Sequence, residues 1–256
     1  DSDVLLWARG VAVNSGMDVD ISEPDVSPLQ LQGPKSRDVL RAAFGDAPTE
    51  LKYYRFMEFD WDGVPLIISR TGWSSELGYE IFLRDGTQGE KLWEHLMAVG
   101  GPLGLKPGHT SSIRRIEAGM LSYHADMTLA NNPYEMGMGR LVDLDMEADF
   151  ISKAALTLIK ERGVSQQLVG LEIDGDPFVG SNDFFWPVLE EGVKVGTVTS
   201  AIYSPRLQKN IALAMISIDH TASGRVLQVD KLSETRTCTV VPIPFYDPKK
   251  SLATAS

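Results

Sequence analysis

Residues 71–81 read TGWSSELGYEI, which places two glycines, two aromatics and two carboxylates in eleven positions of an otherwise ordinary acidic chain. The first half has turn composition and the second half starts a strand. On a strand from Tyr79, alternation puts Tyr79, Ile81 and Leu83 on one face and Glu80 and Phe82 on the other. Glu80 then has two readings. It is an edge-strand residue in water, or a carboxylate held beside aromatics to accept paired N–H donors from a flat heterocycle. Trp73 either walls such a site or plugs the core. Pattern alone favours the edge strand and the core.

The flanks extend the reading. YYRFMEFDWDGVPLIIS (53–69) carries Asp62-Gly63 between two strand-like runs, the strongest hairpin signal in the chain. Upstream, VSPLQLQGP (26–34) reads as a strand, Lys35–Phe44 as a helix, and residues 3–16 as a helix closed by Asn14-Ser15-Gly16. Downstream, the periodicity predicts helices over 89–99, 109–120 and 150–162, the last stopped by Gly163. From Val164 the chain becomes strand-like: QLVGLEI, FFWPVLE, KVGTVTSAIYS, IALAMISI and RTCTVVPI. The fold class is α+β, with regions 1–163 and 164–256 and the second all-β.

Composition narrows the function classes. With 256 residues, 43% apolar content and no apolar run near the ~18 residues of a spanning helix, the chain reads as soluble and non-membrane. A net charge of −11, with no basic cluster longer than Lys249-Lys250, argues against nucleic acid. Cys238 is the one cysteine, which favours a reducing compartment, the cytoplasm by default, and excludes a cysteine-based zinc site. The opening DSDVLLWARG lacks the basic region of a secretory leader. No phosphate-binding glycine loop, nucleophile elbow or zinc-binding His motif occurs, and His95, His109, His124 and His220 are scattered, so no metal is expected. Arg114 and Glu117, spaced i,i+3, fit an ion pair on one helix face.

Seven segments in order, LQLQGPKS (29–36), TGWSSELGYEI (71–81), GLKPG (104–108), RIEAGM (115–120), NPYEMGMGRLV (132–142), DFISKAAL (149–156) and TSAIYSPRLQKNIALAMI (199–216), resemble the motifs of the glycine-cleavage T-protein family of folate-dependent aminomethyltransferases. SEPDVSPLQLQGPKS and the Trp of TGWSSELGYE are most similar to the branch that demethylates dimethylsulfoniopropionate. The resemblance implies a multidomain ring around a tetrahydrofolate pocket with a C-terminal β-barrel. It implies that Glu80 holds the pterin; Tyr79 is assigned beside it on the cofactor, and Trp73 and Phe82 are the candidate aromatic faces for a cationic methyl donor.

Two departures accompany it. Thr110-Ser111-Ser112 stand where the family has Ala-Arg-Asp. The match also starts after the segment that carries the family's catalytic-site aspartate, so the catalytic residue is left unassigned. The implied reaction moves a methyl group from dimethylsulfoniopropionate to tetrahydrofolate, giving methylmercaptopropionate and 5-methyltetrahydrofolate. Aminomethyl transfer in glycine cleavage, aromatic O-demethylation and non-catalytic folate binding remain open, as does a homodimer.

Overall fold

The computed structural model describes residues 2–231 and 234–254. Two compact units share them: residues up to Gly72 with Glu76–Pro107, and Trp73–Ser75 with the residues from Gly108 onward.

The first unit contains α1 (Ser2–Ala12), β1 (Ser27–Gln32), α2 (Ser36–Phe44), β2 (Phe56–Trp61), β3 (Val64–Ser69), β4 (Gly78–Leu83) and α3 (Gly89–Gly100). The sequence predicts α1 to residue 16. It ends earlier because Ser15 turns back, its Oγ donating to the Ala12 carbonyl at 2.9 Å. Asp62 (φ 52°) and Gly63 (φ 82°) both adopt positive φ, the two-residue turn that matches strand twist and selects Asp-Gly. The sheet is antiparallel in the order β1-β4-β3-β2. Tyr79, Ile81 and Leu83 pack with Leu66 and Ile68 of β3 against Val39, Leu40 and Phe44 of α2 and Leu92 and Leu96 of α3. Both helices therefore cover one sheet face. Burying each such side chain contributes roughly 1.5–3 kcal/mol.

The second unit holds α4 (Ser112–Glu117), α5 (Lys153–Arg162) and six strands: β5 (Gln166–Ile173), β6 (Trp186–Glu190), β7 (Val193–Ser204), β8 (Lys209–Ser217), β9 (Val226–Asp230) and β10 (Thr235–Val241). They close a barrel in the order β10-β5-β8-β7-β6-β9. Five of these strands are named by the sequence patterns; β9, only five residues long with Val226 exposed, is not. The helix predicted over 109–120 is limited to α4. Ser111 accepts from Arg114 N at its start, and Met120 N bonds back to Arg115 O at 2.8 Å at its end.

The run IALAM in β8 is buried along almost its whole length because both of its faces are covered. Ala212 and Ala214 point into the barrel with Val188, Val198, Leu227 and Val240. Ile211 and Leu213 point outward against Ile116 of α4 and Met136. Small residues inside and large ones outside fit the narrow interior of a six-stranded barrel. Cys238 lies in that interior, and burial pushes its thiol up to about 12.

Candidate functional site

β4 is an inner strand. β1 hydrogen-bonds along one side of it and β3 along the other, which corrects the edge-strand reading of Glu80. The register pairs Glu80 with Gln30 of β1 and Ser69 of β3, and Ser69 in turn with Phe56 of β2. Directly paired residues share a face. Gln30, Glu80, Ser69 and Phe56 therefore form one row across the face away from α2 and α3, and Pro28, Phe82, Ile67 and Glu58 form the next.

Glu80 is half-buried on that face. The Thr71 hydroxyl donates to its Oε2 and lies 2.5 Å from the Ser69 hydroxyl. Proton accounting orders the chain: an ionised carboxylate only accepts, so Thr71 gives its one hydroxyl proton to Glu80 and Ser69 donates to Thr71. Oε1 of Glu80 has no hydrogen-bond partner among the described residues. The result is an anionic acceptor with one oxygen clamped by the protein and the other available to a donor.

Gln32 explains the two glycines of the opening stretch. Its Nε2 donates to the Thr71 carbonyl (3.3 Å) and to the Tyr79 carbonyl (3.2 Å), tying together the two ends of the 72–78 turn. A Cβ on either Gly72 or Gly78 would overlap that side-chain amide. Neither glycine has positive φ, so glycine is needed here for room and not for backbone conformation.

The other expected site residues separate. Phe82 is half-buried two positions along the same face as Glu80. Tyr79 is 0% exposed, on the opposite face and inside the core. Its hydroxyl accepts from Arg37 Nε at 3.3 Å and the Arg70 guanidinium lies 5.2 Å from its ring centre. Tyr79 thus packs in the core of the sheet, on the face opposite Glu80. Trp73 is half-buried in the turn and, among the described residues, joins none of the hydrophobic core clusters. Thr71, Ser69 and Gln32 carry no role in the sequence reading; the available signal was that Gly72 and Gly78 bracket one turn.

In the second unit, both arginines of the IRRIE segment have acidic partners. Arg114 Nη1 donates to Glu117 Oε2 at 2.9 Å, and Glu117, 2% exposed, also accepts from Ser204 Oγ at 2.6 Å. Arg115 Nη1 donates to Asp126 Oδ2 at 2.8 Å, while Ser200 Oγ (2.6 Å) and Thr199 Oγ1 (2.8 Å) donate to Oδ1. Neighbouring strand residues normally point to opposite faces. Here the register of β7 shifts between Val198 and Ser200, and both hydroxyls reach one oxygen. Each of these buried charges is paired and further hydrogen-bonded, which is the condition for keeping it.

Two family models match in succession along the chain. The family model for the GCVT N-terminal domain matches residues 1–146, and that for the glycine cleavage T-protein C-terminal barrel domain matches residues 166–247; the chain belongs to the glycine cleavage T-protein family. The family's cofactor is tetrahydrofolate. Among similar proteins, the dimethylsulfoniopropionate demethylase DmdA of Ruegeria pomeroyi is 38% identical over 240 residues, covering 94% of this chain and 65% of that protein. An aminomethyltransferase of Bacillus cereus is 34% identical over 248 residues, covering 95% and 66%. The chain thus spans 65–66% of the length of these relatives. The crystal structure of glycine cleavage system aminomethyltransferase T from Bartonella henselae shares the fold, with TM-score 0.81 at 21% identity over 95% of this chain and 65% of that one. Among the described residues, no helix is long and apolar enough to cross a membrane.

Proposed function

We propose that this chain binds tetrahydrofolate through Glu80 and serves a methyl transfer that demethylates dimethylsulfoniopropionate. The observation that carries the reading is the Glu80 carboxylate, with Oε2 held by Thr71 and Oε1 without a partner among the described residues. This acceptor, whose Oε2 keeps a second lone pair beside the Thr71 bond, fits the adjacent amino and ring N–H donors of a pterin, which a carboxylate accepts in a bidentate, charge-assisted pair. When bound, tetrahydrofolate supplies the nitrogen nucleophile that takes the methyl group. A sulfonium is already activated toward loss of a thioether, so what the protein has to contribute is alignment, with reacting atoms brought to about 3–3.5 Å. A sulfonium has no N–H donors, and an aromatic face holds such a cation with about 0.5–2 kcal/mol. Phe82, on the Glu80 face, and Trp73 are the aromatics we assign to that task. The 38% identity to a dimethylsulfoniopropionate demethylase supports this substrate, and the 34% identity to a Bacillus cereus aminomethyltransferase supports aminomethyl transfer as the second reading.

The test is a calorimetric titration of tetrahydrofolate into the chain, followed by assays of methyl acceptance from dimethylsulfoniopropionate and from a methoxybenzoate. Binding should be weakened by about 1.5–3 kcal/mol in Glu80→Gln, which leaves the shape but removes the charge-assisted acceptor. Equal affinity for parent and variant would remove the pterin role. Turnover of the methoxybenzoate but not of the sulfonium would replace the substrate, and binding with no turnover of either would leave a folate-binding role alone.

A further inference from the structure

We propose that Thr71, backed by Ser69 and Gln32, is the positioning residue that fixes the plane of the Glu80 carboxylate before a ligand arrives. The inference rests on the reading of Glu80 as the pterin carboxylate and adds to it the device that aims it.

A glutamate at the surface of a sheet has three side-chain torsions to lose on binding, and that loss subtracts from affinity. Here the torsions are already restricted. Oε2 accepts from Thr71 Oγ1, so rotation about the last bond would break a charge-assisted hydrogen bond. Thr71 is itself held twice: Ser69 Oγ lies 2.5 Å from its hydroxyl, and Gln32 Nε2 donates to its backbone carbonyl at 3.3 Å. The same Gln32 amide donates to the Tyr79 carbonyl, next to Glu80, at 3.2 Å. Both ends of the clamp are therefore referred to one side chain on β1. Since Ser69 is also the cross-strand partner of Glu80, the hydroxyl chain closes on the strand pair that carries the carboxylate. A chain of donors running Ser69 to Thr71 to Glu80 polarises in one direction and strengthens its last bond.

The experiment is a double-mutant cycle read by calorimetric titration of a stable reduced folate, 5-formyltetrahydrofolate, into the full chain. Thr71→Val keeps the branched shape and removes the hydroxyl. We expect about a tenfold loss of affinity, equal to about 1.4 kcal/mol. Thr71→Ser, which restores the hydroxyl, should return to within about threefold of the parent, a range inside 0.7 kcal/mol. In a Glu80→Gln background, Thr71→Val should then cost nothing further. A Thr71→Val loss that persists undiminished in that background, or that Thr71→Ser does not rescue, would overturn the positioning role while leaving Glu80 as the binding group. If Glu80→Gln binds as the parent does, the pterin reading itself fails and takes the proposal with it. Should Thr71→Val not fold, Ser69→Ala replaces it in the same cycle, with the same outcomes and a smaller expected loss.

Discussion

Arg115 on α4 donates from Nη1 to Oδ2 of Asp126 at 2.8 Å, and both side chains are buried, Asp126 at 3% exposure. Every oxygen lone-pair direction that matters is used, since Ser122 N donates to Oδ2 (2.9 Å) and the Thr199 and Ser200 hydroxyls donate to Oδ1. Removing one member leaves the other charge in a place built only for the pair. Asp126→Ala should lower the unfolding free energy by about 3–5 kcal/mol. Urea unfolding checks it, and a loss below about 1 kcal/mol would mean that the pair is screened as surface pairs are.

The crowding of Gln32 against Gly78 predicts coupling between those two positions. Gly78→Ala should push the amide aside and lose its hydrogen bonds to the Thr71 and Tyr79 carbonyls, each worth about 0.5–1.5 kcal/mol. Because Gln32→Ser removes the same amide, the double variant should lose those hydrogen bonds only once and be destabilised by less than the sum of the two single variants. The stabilities of the two single variants and the double variant test this, and simple additivity of the two losses would refute it.

Acid sensitivity has a local source in the second unit. Arg225 clasps Glu190 with Nε to Oε1 at 2.8 Å and Nη2 to Oε2 at 2.7 Å, and His220 Nδ1 lies 2.8 Å from Oε2. The Arg225 hydrogen bonds hold the Glu190 carboxyl below its usual value of 4.5. A carboxyl lowered in the folded state stabilises fully above its unfolded value, and that share fades as pH falls through the lowered value. Urea midpoints measured from pH 7 down to 3 should therefore drop more steeply in the parent than in Glu190→Gln below about 4.5. Parallel curves would show that solvent screens the clasp completely.

Much of this molecule was legible in its local patterns. Asp62-Gly63 specified the hairpin because only a positive-φ pair fits that turn. The alternation from Tyr79 to Leu83 named the core face of β4 correctly, since a strand turns every second side chain the same way. The ordered motifs identified the family, and the family models confirm it. Local pattern could not say what lies beside β4. β1 pairs with it from more than forty residues upstream, and that pairing makes β4 an inner strand and brings Gln32 between Gly72 and Gly78. The stretch TGWSSELGYEI was composed for neighbours that are not in it. Burial of Tyr79, the Thr71 clamp on Glu80 and the Asp126 cluster at the β7 bulge all depend on side chains brought together across sequence. Hydrophobic periodicity records which way a residue faces; only the tertiary structure decides what it faces, because hydrogen bonds and packing are made between elements whose spacing along the chain carries no trace of their contact.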